Sequence, residues 1–351
     1  MKDMMERIIN VGIAGCGKSA QVFHIPLLKA DKRFAIKAVL ERSSDSSALL
    51  CPQAVVVRNF QDLLSRDIDL VVICTPNHVH YEMVRQAVRA RKNVVVEKPF
   101  AVRTAEALEL CELAKQENVV LSVFQNRRWD GDFLTTKKII QSGILGRIVN
   151  YEAHYDRYAV LKNPTVWKEA NIPGTGVLYD LGVHIADQAV QLFGMPLEVY
   201  ADLCIQREDS LITDYCHVEL YYSGKKAILC AGKLVREEGP RIAVHGSLGS
   251  YVKYGLDPQE AALQAGSLPA GSSWGAEPRR AWGILNTEIS GTALRCAVET
   301  ECGNYPAYYS NIYEAILGRA ELLVTPAQAC DVLRIIEAAI QSNQTGSRVR
   351  L

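Results

Sequence analysis

Three groups of residues in this chain have the types and spacing to do chemistry. The apolar run Val94-Val95-Val96 ends in Glu97-Lys98-Pro99. The proline stops the strand, and in an open α/β sheet ligands sit beyond the carboxyl ends of strands. Lys98 at such an end could orient a hydroxyl or carbonyl beside a cofactor; a solvated lysine at a strand end is the plain alternative. In the second group, Asp180 and His184 stand four residues apart on an expected helix, hence on one face, and Asp187 continues the stripe. Oxidation of a hydroxyl needs a base to take the proton while hydride leaves carbon, and histidine suits that work. A neighbouring carboxylate can fix the histidine tautomer, stabilise its charged form or bind a second hydroxyl. A solvated Asp–His pair fits the same spacing. No further ligand cluster supports a metal at Asp180, His184 and Asp187, and none is expected.

The third group is Gly15-Cys16-Gly17-Lys18-Ser19-Ala20, directly after the first apolar run. The first glycine permits a tight turn, the second lets backbone approach a pyrophosphate, and the small Ala20 lets the helix pack close to the strand. The helix N-terminus then offers its N–H groups to phosphate. Pro26 falls six residues later, so a short turn at 22–24 and a helix restarting near Pro26 are expected.

Nicotinamide choice rests on the end of the second strand. Glu41 stands where an acid would bind the ribose hydroxyls of NAD, but Arg42, Ser43 and Ser44 follow and could hold a 2′-phosphate. NADP wins if Glu41 points away and Arg42 stacks over the adenine, and NADP is favoured over NAD. Thr75-Pro76-Asn77 follows the fourth strand, and the X-Pro turn would place Asn77 over the cofactor or make it a helix N-cap, or both. His80 reads as a packing or capping histidine.

These groups need a scaffold. Apolar runs at 8–14, 35–40, 54–57, 70–74, 94–97 and 119–124 alternate with helical patterns such as 81–90 and 104–116. That alternation predicts a doubly wound parallel sheet, a Rossmann-type α/β domain over residues 1–126. Beyond it, helices are expected near 133–142 and 177–193. Alternating runs follow near 199–205, 216–222, 226–234, 242–245 and 251–254, then helices at 308–317 and 327–341. Strands following strands predict a largely antiparallel sheet, so residues 127–351 read as an α+β domain. Residues 266–276, rich in Gly, Ser and Ala, read as a surface loop.

Composition narrows the partners. The 351 residues carry 39 Lys plus Arg against 39 Asp plus Glu, so no global field draws in nucleic acid or an anionic membrane. No run approaches the roughly 18 apolar residues of a membrane span. Residues 1–7 mix acids and bases and read as neither signal nor transit peptide. The ten cysteines include no CxxC pair, as expected for reduced thiols in a cytoplasmic protein.

Taken together, Gly15-Cys16-Gly17, Phe23-His24-Ile25-Pro26-Leu27, Thr75-Pro76-Asn77, Glu97-Lys98-Pro99 and Asp180-x-x-x-His184 resemble the glucose–fructose oxidoreductase/inositol dehydrogenase (Gfo/Idh/MocA) family. Gln125-Asn126-Arg127-Arg128-Trp129-Asp130, the run from Tyr251 to Asp257, and Gly303-Asn304-Tyr305-Pro306 resemble its NADP-dependent scyllo-inositol dehydrogenase branch. The resemblance implies a second domain whose large, open sheet mediates a homodimer or larger homo-oligomer. It also implies that Lys98 orients the reacting hydroxyl, His184 is the acid/base, and Asp180 tunes it or binds substrate. Asn126, Arg127, Tyr155, Arg157 and Trp167 are candidates for a pocket that binds several hydroxyls, because guanidinium and amide forks fit vicinal diols and a tryptophan can cover a sugar face. Arg128 serves equally as a structural ion-pair partner. The expected activity is NAD(P)-dependent oxidation of a secondary alcohol of a cyclic polyol or sugar. Reduction of another small carbonyl, imine or diol is the rival enzyme reading. A non-catalytic dinucleotide sensor would be expected to lack the lysine or the histidine.

Overall fold

Runs of valine, isoleucine and leucine buried on both faces build the first sheet, because a parallel strand flanked by helices has no solvent side. Its strands are β1 (Ile9–Ala14), β2 (Phe34–Leu40), β3 (Val55–Val57), β4 (Leu70–Ile73), β5 (Asn93–Val96) and β6 (Leu121–Val123). They lie in the order β3-β2-β1-β4-β5-β6 and every pair is parallel. The order reverses between β1 and β4, the point where such sheets bind dinucleotides. The computed structural model describes residues 7–161, 167–271 and 273–351.

The first helix restarts where expected, at Ile25, with Pro26 in its first turn. A π-turn over Ala20–His24 runs without interruption into Ile25–Ala30. Proline lacks an N–H and its ring collides with the carbonyl four residues back. In the wider turn the Ile25 N–H reaches the Ala20 carbonyl, and Pro26 then falls in the first turn of the α-helix, where its missing N–H costs nothing.

The second sheet has nine strands: β7 (Ile148–His154), β8 (Glu198–Cys204), β9 (Tyr215–Tyr222), β10 (Lys225–Gly232), β11 (Ile242–Gly246), β12 (Gly249–Lys253), β13 (Gly283–Ile289), β14 (Thr292–Val298) and β15 (Val349–Arg350). Their order is β14-β13-β12-β11-β7-β10-β9-β8-β15, and only β7 and β10 run parallel. One face is apolar: Tyr151, Ala153, Val218, Leu220, Ala227 and Leu229 pack with Ile185, Ala189, Ile335 and Ile336 from the helices Val183–Phe193 and Pro326–Thr345. The other face carries ion pairs. His154 lies 2.8 Å from Glu152 and 2.9 Å from Asp156, and Glu219 lies 3.2 Å from both His217 and Lys226. Strands β7, β13, β14 and β15 were not anticipated, and neither was the helix Gln259–Gln264.

Two compact units emerge, and both are discontinuous. The first comprises Met1–Asn126, Gln259–Trp274 and Asn304–Ala329; the second comprises Arg127–Pro258, Gly275–Gly303 and Cys330–Leu351. The single crossing expected after Asn126 is therefore corrected by two returning segments. The reason is aromatic burial. Helix Pro306–Ile316 lays Tyr308 edge-on to Phe124 at 4.9 Å, and Tyr309 and Tyr313 edge-on to Phe34 at 5.6 and 5.9 Å. All ten cysteines are free thiols; Cys230 is buried, Cys74 half-buried and Cys302 exposed. Among the described residues no His/Cys/Asp/Glu group could hold a metal, and no helix is long and apolar enough to cross a membrane.

Candidate functional site

Every residue expected at the cofactor lies in the first unit, beyond the carboxyl ends of β1, β2, β4 and β5. Gly15 has φ +96°, and a Cβ there would sit 3.2 Å from the Cys74 carbonyl, so only glycine makes this turn without strain. At Gly17 a Cβ would meet nothing within 4 Å. The cradle over Gly17 is open, as the approach of a pyrophosphate requires. No side chain caps the helix start at Ser19, whose hydroxyl is spent on Glu97, so the N–H groups there are left to an anion. Ala20 is fully buried, consistent with close helix–strand packing, and Cys16 stands half-buried beside the turn. The site therefore fits a dinucleotide.

The Glu41 carboxylate is engaged by its own loop. Its Oε2 accepts from Ser44 Oγ at 2.5 Å, Ser46 Oγ at 2.7 Å and Ser46 N–H at 3.2 Å, and its Oε1 accepts from Ser47 N–H at 2.7 Å. Burial pushes this carboxyl up, but the donors of Ser44, Ser47 and Ser46 outweigh it and hold the pKa at about 2. Arg58 ties the same loop from the other side, donating to the Glu41 and Ser44 carbonyls at 3.0 and 2.6 Å and to Asp45 at 2.6 Å. Arg42 and Ser43 remain exposed on it.

The turn after β4 is held by His80. Its ring is fully buried and places one nitrogen 2.8 Å from the Pro99 carbonyl and the other 2.9 Å from that of Thr75. The packing role expected for His80 is what the structure shows, and burial lowers its pKa. Pro76, not Asn77, is the N-cap of the short turn Asn77–Val79, so the capping alternative for Asn77 is corrected; its side chain is buried.

Glu97 was expected beside the cofactor, yet its carboxylate is committed inside the unit. Oε1 accepts from Ser19 Oγ and lies 3.0 Å from His24 Nε2; Oε2 accepts from the Lys98 N–H at 3.1 Å. Burial pushes this carboxyl up, but His24, Lys98 and Ser19 outweigh it and bring it to about 2. Lys98 follows, half-buried, and the Lys98–Pro99 bond is cis. Glu219 on the second sheet is also held at about 2, where Tyr221, His217 and Lys226 overcome its burial. Each of these three glutamates has its folded pKa below the ordinary value near 4.5. Their stabilisation is present above that value and lost as pH falls from there towards 2. Thermal unfolding between pH 6 and 2 is expected to show the melting temperature falling through that window; a flat profile there would count against these assignments.

The second unit gathers a different set. Tyr155 is buried, and the guanidiniums of Arg241, Arg157 and Arg127 lie 4.9, 5.3 and 5.6 Å from its ring centre. The His184 ring stands 6.2 Å from it. Of the expected substrate residues, Arg127, Tyr155 and Arg157 thus come together with His184. Trp167 is half-buried on the turn Trp167–Glu169, beside Lys168. Asn126 ends the first segment of the first unit, buried at the start of the turn Asn126–Trp129. Arg241 escaped sequence reasoning, since an isolated arginine at a strand start carries no pattern. It donates to the His154 carbonyl at 3.0 Å and to Gln188 at 3.1 Å, and its Nε lies 3.3 Å from Asp132.

The expected Asp180–His184–Asp187 stripe is corrected. Asp180 lies on a π-turn, Leu178–Gly182, that precedes the α-helix Val183–Phe193, so the four-residue spacing does not carry the regular helical alignment. Its Oδ1 accepts from Lys168 at 2.6 Å. Asp187 is buried and gripped bidentately by Arg128 at 2.6 and 2.7 Å, which makes Arg128 a structural partner.

Residues 9–125 match the NAD-binding Rossmann-fold model of the Gfo/Idh/MocA oxidoreductases, and residues 137–351 match the family's C-terminal alpha/beta domain. The chain is 40% identical over 347 residues to scyllo-inositol 2-dehydrogenase (NADP(+)) IolW of Bacillus subtilis, covering 98% of this chain and 96% of that protein. It is 41% identical over 340 residues to the uncharacterized oxidoreductase YdgJ of Escherichia coli, covering 95% and 96%. Among solved structures, the oxidoreductase yvaA of Bacillus subtilis superposes with a TM-score of 0.95 at 39% identity, covering 99% of each chain. With both domain models matched in order along nearly its whole length, the chain belongs to the Gfo/Idh/MocA family of NAD(P)-dependent oxidoreductases.

Proposed function

We propose that this enzyme transfers hydride reversibly between NADP and a secondary alcohol of a cyclic polyol, scyllo-inositol or a close relative. Lys98 carries the reading: a lysine beyond β5, in the same unit as the dinucleotide cradle, with its backbone fixed by the Glu97 carboxylate. The bound nicotinamide supplies the hydride acceptor or donor. Lys98 donates a hydrogen bond to the reacting oxygen, and His184 takes the hydroxyl proton in oxidation and returns it in reduction. Asp180 binds a neighbouring hydroxyl, and Arg127 and Arg157 beside Tyr155 offer further donors for polyol oxygens. Support for the polyol comes from the relative named scyllo-inositol 2-dehydrogenase.

The preference for NADP rests on Glu41. A carboxylate that already accepts four hydrogen bonds from its own loop is poorly placed to serve a ribose diol, and exposed Arg42 and Ser43 suit a 2′-phosphate. Arg42→Ala is expected to weaken NADPH binding about 10- to 100-fold, the worth of a charge-assisted hydrogen bond, while NADH binding stays unchanged. Fluorescence titration with both nucleotides measures this; equal affinities for NADPH and NADH in the wild type would remove the preference. The activity itself is tested by a panel of inositols and sugars with NADP+, following absorbance of the reduced nucleotide. Turnover of non-sugar substrates alone would point to the rival reductase reading.

A further inference from the structure

The motif Phe23-His24-Ile25-Pro26-Leu27 contains a histidine that the proposed chemistry does not use. His24 is completely buried, with the Phe124 ring tilted against it at 4.2 Å between centres. Its Nδ1 lies 2.6 Å from Tyr309 Oη and its Nε2 lies 3.0 Å from Glu97 Oε1. One tautomer satisfies both contacts: the tyrosine hydroxyl donates to Nδ1, and Nε2–H donates to the carboxylate. The other carboxylate oxygen accepts the Lys98 N–H, and Ser19, on the turn that opens the cofactor cradle, donates to the same Oε1 as His24. A continuous buried chain therefore runs Tyr309–His24–Glu97–Lys98 within the first unit. A core position against Phe124 needs only an apolar side chain, and burying a carboxylate costs free energy unless its acceptors are filled. This chain spends three buried polar groups on fixing the residue next to the lysine.

We propose that His24 is a positioning residue for Lys98, holding Glu97 in the one orientation in which its carboxylate also grips the Lys98 amide, with Tyr309 setting the histidine tautomer. The inference rests on the reading of Lys98 as the residue that orients the reacting oxygen. A lysine displaced by about 1 Å can cost roughly 100-fold in rate without touching nucleotide affinity.

The test compares wild type, Lys98→Ala, His24→Leu, His24→Gln and Tyr309→Phe. It measures kcat and KM for scyllo-inositol oxidation with NADP+, and NADPH Kd by fluorescence. His24→Leu is expected to lose roughly 10- to 100-fold in kcat at unchanged NADPH Kd. His24→Gln, whose amide N–H reaches Glu97 as Nε2–H does, is expected to recover most of that loss. A role in packing alone gives the reverse order, because leucine suits the site against Phe124 better than glutamine. Where His24→Leu does not fold, Tyr309→Phe removes a single hydroxyl and is expected to lower kcat several-fold. Wild-type kcat in that variant, or leucine outperforming glutamine, overturns the proposal. If Lys98→Ala loses turnover and His24→Leu keeps it, the positioning role alone fails. If Lys98→Ala keeps turnover, or the wild type oxidises no polyol, the underlying reading fails and takes the inference with it.

Discussion

Lys98→Ala is expected to lower kcat for polyol oxidation by about 100- to 10,000-fold, the range typical of a positioned proton-transfer group. That loss corresponds to roughly 3–5 kcal/mol of transition-state stabilisation. Nucleotide affinity is expected to survive, because the Gly15 and Gly17 cradle and the Glu41 loop make no use of the Lys98 side chain. The hydrogen bond that Glu97 accepts from residue 98 comes from the backbone N–H, which alanine retains; only the lysine charge that helps hold its pKa down is lost. Lys98→Arg is not expected to restore the rate, as a planar guanidinium cannot take the place of a compact ammonium at the end of a flexible stem. Steady-state kinetics on scyllo-inositol with NADPH titration in parallel decide the matter. A variant with wild-type kcat would remove Lys98 from the chemistry, and a variant with lost NADPH binding would make it a cofactor ligand instead.

Asp187→Ala is expected to be the most damaging single change to stability. Arg128 and Asp187 form a bidentate pair at 2.6 and 2.7 Å, both nearly inaccessible to solvent. Removing the acid takes the bidentate partner away from a buried guanidinium, at a cost of about 3–5 kcal/mol. In a unit of this size that lowers the melting temperature by on the order of 10 °C. Removing both charges together, as Arg128→Met with Asp187→Leu, is expected to recover much of the loss, because an apolar pair carries no desolvation penalty. Thermal unfolding of the two variants measures this. An Asp187→Ala protein with the wild-type melting temperature would remove the Arg128–Asp187 pair from the stabilising contacts.

Legibility of this chain follows burial. Strands β1, β4 and β5 are enclosed on both sides and read as continuous apolar runs, so the sheet and its glycine turn were evident. Strand β14 is exposed along most of its length, and an exposed edge hairpin has neither an apolar run nor a clean alternation to reveal it. Strand β7 alternates, with Tyr151 and Ala153 inward, but its outward Glu152 and His154 and its half-buried first residues dilute the apolar signal. The π-turns at Ala20–His24 and Leu178–Gly182 leave no signature, and the second of them undid the helical argument for Asp180. Lys98, His184, Arg127, Tyr155 and Arg157 were identifiable as residue types. Their partners were not: that Asp187 belongs to Arg128, Asp180 to Lys168 and His24 to Tyr309 depends on approaches between residues 12 to 285 positions apart.

The aromatic helix Pro306–Ile316 has a consequence for biogenesis. A ribosome that has made residues 1–126 has supplied all six strands of the first sheet, but not Tyr308, Tyr309 or Tyr313. At about 5–20 residues per second, roughly 10–40 s pass before the returning segment emerges. Throughout that interval Phe34, Phe124 and His24 lack the rings that cover them, and the nascent sheet offers a sticky flank to chaperones. Expression of residues 1–126 alone would freeze the chain at that stage, so a soluble nucleotide-binding fragment must carry the 304–329 segment with it.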